Sequence, residues 1–148
     1  MNYFQIFNVP ESFEIDEKTL TKSYFDLQKK YHPDRNEGNV ASFDVNNAYK
    51  VIKDYILRAE YLLELNGVKS LPPLDFLKLE SFLEGNELVE RAVDREELTK
   101  LLERSNSRLE ELKCQMDIKN LPEAAKSCAE MKYVDRIIQN IKNKIKNL

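Results

Sequence analysis

The chain is poor in the residues that break helices, with three glycines and five prolines among 148 residues. Alternating β-branched runs are also missing, so helices are favoured over sheet. Histidine occurs once, at His32, with no cysteine near it. A metal site needs three or four ligands, so no metal and no cofactor are expected. Nor is there a glycine-rich loop to cradle a phosphate. The cysteines, Cys114 and Cys128, are separated by thirteen residues, which is neither a zinc knuckle nor a redox pair, and a reducing compartment is the simplest setting. Cys128 falls on an apolar helical stripe and Cys114 points away from one, so a disulfide is not expected. No apolar run approaches the ~20 residues that span a bilayer. Basic and acidic residues nearly balance, 23 against 26, without the basic excess of a nucleic-acid binder. The start, Met1 to Phe7, lacks the features of a signal or transit peptide. These absences lead us to expect a cytoplasmic, all-α protein that binds neither nucleic acid nor membrane.

What is present is helical periodicity. A short apolar opening, Tyr3 to Pro10, precedes Asp16, a good N-cap for a helix of about Glu17 to Tyr31. Leu20, Tyr24, Leu27 and Tyr31 form its buried stripe. Lys18, Lys22 and Lys29 gather on the opposite side, either as an ordinary solvated face or as a docking face. The helix stops at His32-Pro33-Asp34, because Pro33 donates no N–H and pushes His32 out of helical geometry. A second helix is expected from about Val40 to Leu57, with Val45, Ala48, Val51, Ile52 and Tyr55 on one face. The short loop makes the pair antiparallel and exposes His32 at the tip. A further apolar helix, Arg58 to Leu65, ends at Asn66-Gly67, and Ser70-Leu71-Pro72-Pro73 reads as a stiff linker. The expected division is 1-68, a linker at 69-73, and 74-148.

The second part reads as a three-helix bundle. Its first helix, about Leu74 to Val93, is both apolar and acidic. Two longer helices follow capping boxes at Asp94-x-x-Glu97 and Asn120-x-x-Glu123. Their stripes (Leu98, Leu102, Ser105, Leu109, Leu112, Met116; then Ala124, Cys128, Met131, Val134, Ile138, Ile141, Ile145, Leu148) repeat at heptad-like spacing. Joined by a tight turn, they form an antiparallel hairpin. A helix apolar on more than one side cannot bury all of itself in so small a bundle. Leu77, Leu79, Phe82 and Leu83 are therefore either core or a partner patch.

His32 and Asp34 alone would be an incidental turn, and a loop tip offers no pocket for catalysis. Their setting changes that reading. Tyr31-His32-Pro33-Asp34-Arg35 between two helices, followed by Asn47-Ala48-Tyr49, resembles the J-domain of DnaJ-type co-chaperones. Tyr3-Phe4-x-x-Phe7-x-x-Pro10, Asp26-Leu27-Gln28 and Arg58-Ala59-Glu60-Tyr61-Leu62-Leu63 resemble the HscB family in particular, as does the layout of a J-domain helical hairpin joined to a C-terminal bundle.

The resemblance implies a non-enzymatic co-chaperone of iron–sulfur cluster assembly with two partners. An HscA/DnaK-class chaperone would meet His32, Pro33, Asp34 and Arg35 with Lys22, Lys29 and Lys30, and its ATPase would be stimulated. An IscU-type scaffold protein would meet Leu77, Leu79, Phe82, Leu83, Glu84, Glu87 and Tyr133. The sequence departs from the family here: the usual Leu-Glu-Leu-Arg-Glu stretch has become Phe82-Leu83-Glu84-Gly85-Asn86-Glu87, and in either register the arginine is missing. A glycine inside a helix costs ~1 kcal/mol against alanine, so a bend is expected at Gly85. The absence of a cysteine-rich N-terminal extension favours a bacterial origin.

Overall fold

The computed structural model describes residues 1–30 and 38–148, with side chains described for 1–30 and 44–148. The described elements are helices: α1 (Tyr3–Ile6), α2 (Glu17–Lys30), α3 (Gly38–Lys53), α4 (Tyr55–Leu65), α5 (Phe76–Arg91), α6 (Arg95–Cys114) and α7 (Leu121–Lys146). They form two compact units, Met1–Leu65 and Asn66–Leu148. The division follows α4, close to Gly67, whose φ of +93° is a left-handed geometry that favours glycine.

In the first unit, Asp16 caps α2 by accepting hydrogen bonds from the Lys18 amide at 3.1 Å and the Thr19 hydroxyl at 2.9 Å. Helices α2 and α3 pack antiparallel. The Tyr24 ring stacks on Tyr49 at 3.9 Å, and the Tyr24 hydroxyl donates to Asn46 Oδ1 at 2.8 Å. Gln28 donates to the same Asn46 oxygen and to the Tyr24 hydroxyl. Leu20, Val45, Ala48 and Ile52 are buried where the stripes put them, while Tyr24, Leu27, Val51 and Tyr55 are half-buried. Tyr31 lies outside the described residues.

The expected single helix to Leu57 is instead two helices broken at Asp54. The cause is local: the Asp54 carboxylate accepts from the amides of Ile56 and Leu57 at 2.8 and 3.1 Å, making it the N-cap of α4. Helix α4 then fastens the aromatic opening. Tyr3 stacks on Tyr61 at 4.7 Å, and the Tyr3 amide donates to the Tyr61 hydroxyl at 3.0 Å. Arg58 is buried and donates to the carbonyls of Phe13 and Ile52, both at 2.7 Å, with its guanidinium over the Phe13 ring. Burial pulls the Arg58 pKa down, with the charges of Glu17 and Asp54 acting against it. The Arg58-Ala59-Glu60-Tyr61-Leu62-Leu63 run thus contains the residues that close this unit.

In the second unit α6 and α7 form the antiparallel hairpin, and α5 runs parallel to α7 along it. Asp94 caps α6 through the Glu97 amide at 2.8 Å, while the Glu97 carboxylate accepts from Val93, one residue before the cap. Asn120 faces the Glu123 amide at 3.5 Å, a long cap. Cys128 is buried and Cys114 exposed, and the two do not form a disulfide. The α7 stripe ends sooner than its periodicity suggests: Ile141 is buried, but Leu148 follows the end of the helix and is 58% exposed.

Helix α5 is shorter than Leu74 to Val93. It is capped by Asp75 through the Lys78 amide and ends where Ala92 turns to extended geometry. It passes through Gly85 as uninterrupted helix, with no break at the glycine. An added Cβ at Gly85 would meet Ile137 Cδ1 at 3.5 Å, an ordinary van der Waals contact. Gly85→Ala should therefore stabilise the second unit by about 1 kcal/mol through helix propensity. A thermal melt should show its midpoint rising by about 4–8 °C; a fall would mean that α5 needs the smaller residue to reach α7.

Candidate functional site

The described residues predicted to bind partners fall on two faces. The first is the outer side of α2. Leu20 buries one side of this helix, so Lys18, Lys22 and Lys29 project outward and are exposed. Lys30 is also exposed, but at about 100° per residue it lies roughly a quarter-turn from Lys29. Lys29 and Lys30 sit in the last turn of α2, where positive charge favours the helix dipole. His32, Pro33, Asp34 and Arg35 lie outside the described residues.

The second face is on α5, and its orientation follows from what α5 buries. Val89 is the buried residue of the helix, clustered with Ala92, Leu98, Ile137 and Ile141. Phe82 packs against this cluster and stacks on Tyr133, ring centroids 5.5 Å apart. Phe82 and Tyr133 therefore join packing and surface: Tyr133 remains 36% exposed, with Arg136 over its ring at 5.8 Å. Away from this packing α5 exposes leucines on two flanks: Leu83 at 61% and Leu79 at 39% on one, and Leu77 at 76% about 120° round the helix from Leu83. Glu84 and Glu87 are exposed between these leucines, and Glu87 makes a loose contact with Arg91 at 4.0 Å.

The sequence reading overlooked three features of this region. Phe76, also 76% exposed, lies in line with Leu79 and Leu83 and extends the apolar strip by a turn. Lys144 donates to the carbonyls of Val89 and Glu90, both at 2.7 Å, satisfying orphan groups at the C-terminal end of α5. Glu130 is a buried carboxylate on α7, held by Arg108 through two hydrogen bonds of 2.6 and 2.9 Å and by Lys78 of α5 at 3.2 Å. A glutamate among Ala129 and Met131 breaks the apolar pattern of α7, and that break was the available signal. Burial alone would push the Glu130 carboxyl up; the hydrogen bonds from Arg108 and Lys78 outweigh it and hold the group below its usual range.

Among the described residues, no group of three or more histidine, cysteine, aspartate or glutamate side chains could hold a metal. Among the same residues, no helix is long and apolar enough to cross a membrane.

Residues 2–61 match the model of the DnaJ domain, and residues 78–142 match that of the HSCB C-terminal oligomerisation domain. The chain thus carries the two domains of an HscB-type co-chaperone. Among curated relatives, a co-chaperone HscB homolog of Psychromonas ingrahamii is 42% identical over 77 positions, covering 46% of each chain. HscB of Buchnera aphidicola (strain Tuc7) is 37% identical, covering 56% of this chain and 53% of its own. These matches thus span about half the relatives' length, whereas a homolog from Aliivibrio salmonicida matches over 95% of both chains at 27% identity. The solved HscB of Vibrio cholerae superposes with a TM-score of 0.88 at 26% identity, covering 100% of this chain and 99% of that one. Human HscB superposes with a TM-score of 0.91 at 25% identity, covering 100% of this chain and 84% of that one.

The Glu130 cluster gives a pH prediction. A carboxylate whose pKa is held down by folding contributes stability above its unfolded value, ~4.3. That contribution is lost as pH falls through the lowered native value. Glu130→Gln should therefore flatten the acid side of the stability profile. Arg108→Ala should cost about 2 kcal/mol at neutral pH, the scale of charge-assisted hydrogen bonds. Urea melts across the acid range check both; parallel acid limbs for parent and Glu130→Gln would contradict the first.

Proposed function

We propose that this protein carries an IscU-type iron–sulfur scaffold on the outward face of α5 and delivers it to an HscA/DnaK-class chaperone in the bacterial cytoplasm. There it stimulates the chaperone's ATPase through the α2 face and the His32-Pro33-Asp34 loop. ATP hydrolysis is the chaperone's own chemistry. Engagement of the J-unit would coincide with arrival of the scaffold, so the chaperone closes on a client already in place.

The observation that carries this reading is the exposed apolar strip on α5. Large apolar side chains left contiguous in water mark interaction surfaces, and the strip lies in the part of the chain matched by the HSCB C-terminal model. Leu77, Leu79 and Leu83, with the edge of the Phe82–Tyr133 stack, would supply the desolvated contact. Glu84 and Glu87 would set register against basic groups on the scaffold. On α2, Lys22, Lys29, Lys30 and Arg35 would provide long-range attraction to an acidic chaperone surface, weakened by salt. His32 and Asp34 would make the specific contacts on a backbone stiffened by Pro33.

Phe82 and Tyr133 are partly buried against each other, so truncating them perturbs packing and binding together. The exposed leucines separate the two effects. Leu77→Ser combined with Leu83→Ser should weaken scaffold binding at least tenfold, about 1.4 kcal/mol, without shifting the thermal melt appreciably. His32→Gln should abolish stimulation of the chaperone and leave scaffold binding intact. Titration calorimetry with the scaffold, beside a chaperone ATPase assay, checks both. Tight scaffold binding by the double leucine variant would remove the α5 strip from the account.

A further inference from the structure

The lysine face of α2 carries a large apolar side chain that folding leaves more than half exposed. Phe25 is 57% exposed, whereas Phe4, Phe7 and Phe13 of the same unit are buried and Tyr24 stacks on Tyr49. The Phe25 ring meets Tyr24 at 5.6 Å and otherwise faces outward, forming a shallow groove with Lys18, Thr21 and Lys22, closed at one end by Glu17. Helical spacing puts Lys22 three residues before Phe25 and Lys29 four after it, so both lie beside its ring. Lys18, seven before, falls on the same side. Phe25 and these lysines share about 60° of the helix circumference at 100° per residue.

We infer that Phe25 is the apolar anchor of chaperone docking, seated in a recess ringed by carboxylates on the chaperone. The inference rests on the chaperone-docking reading above and adds to it the source of selectivity. Lysines on flexible stems give attraction that is long-ranged, screened by salt and tolerant of many acidic surfaces. An aromatic ring among them demands a matching apolar recess, and desolvated aromatic anchors are where interface energy concentrates. Charge complementarity fixes the rim of that recess, since the cations flanking Phe25 need acidic partners when the ring is buried.

The experiment is chaperone ATPase stimulation by the full chain and three variants, measured across a range of salt. Phe25→Ala should raise the half-stimulating concentration about tenfold, with the same salt dependence as the parent because no charge is lost. Phe25→Leu should recover most of the loss. Phe25→Lys is decisive, since it adds a positive charge. A surface that works by charge alone would then dock more tightly at low salt, whereas an apolar recess makes this variant weaker than the parent at every salt. Circular dichroism should be unchanged in all three. Parent-like stimulation by Phe25→Ala, or tighter docking by Phe25→Lys, overturns the anchor and leaves the lysine face standing. Failure of the parent itself to stimulate overturns the docking reading and the anchor with it. Phe25-dependent binding to phosphatidylglycerol vesicles, with chaperone stimulation unaffected by Phe25→Ala, would assign the residue to a membrane surface and also overturn the anchor.

Discussion

The rotation of α5 about its own axis decides which of its side chains meet solvent, and a short series of contacts along α7 fixes it. From one end of α5 to the other these are Lys78 on Glu130, Phe82 on Tyr133, Gly85 beside Ile137, and Val89 in the cluster with Ile137 and Ile141. Lys144 then reaches the last carbonyls of α5. With one side held at these points, the leucines at 77, 79 and 83 have nowhere to go but outward. Burying so little of an apolar helix forfeits folding energy that a tighter bundle would gain. On the proposed function, that surface is kept available for the scaffold. Glu130 matters most in the series. A carboxylate removed from water must keep its cations, so rotating Lys78 away would leave a buried charge with less compensation.

The first unit reaches its shape by a different means. Its opening is mostly irregular and short of intrahelical hydrogen bonds, so aromatic stacking and one buried guanidinium fasten it to α4. The two carbonyls that Arg58 satisfies, at Phe13 and Ile52, belong to segments far apart in sequence. The Tyr24–Tyr49 stack and the Asn46 hydrogen bonds join α2 to α3, which keeps the lysine face turned outward.

Much of this was legible in the residues. The helical stripes of α2, α6 and α7, the caps at Asp16 and Asp94, and the terminator at Gly67 are strong local signals, and each corresponds to an observed element. The break at Asp54 was hidden because Val51, Ile52, Tyr55 and Ile56 sustain an apolar pattern through it, and periodicity outweighed a single capping aspartate. Gly85 lowers the helix propensity of α5, yet the helix runs unbroken through that position on the side facing Ile137. The open strip on α5 was half legible: composition showed more apolar side chains than a bundle needs. Which of them were surplus depended on the rotation set by Glu130 and Tyr133, both on a helix far away in sequence. The His32 loop was recognised from its motif and lies outside the described residues.

Amide hydrogen exchange on the full chain, alone and saturated with the scaffold, tests the central claim most directly. Helix α5 is packed on one side only, so its amides should open locally with less than the global free energy and report any partner that covers it. The account predicts that the scaffold slows exchange across α5, from Phe76 to Glu87, and leaves α2 unchanged. Slowing confined to α2 or to the outer side of α6, with α5 unaffected, would contradict it.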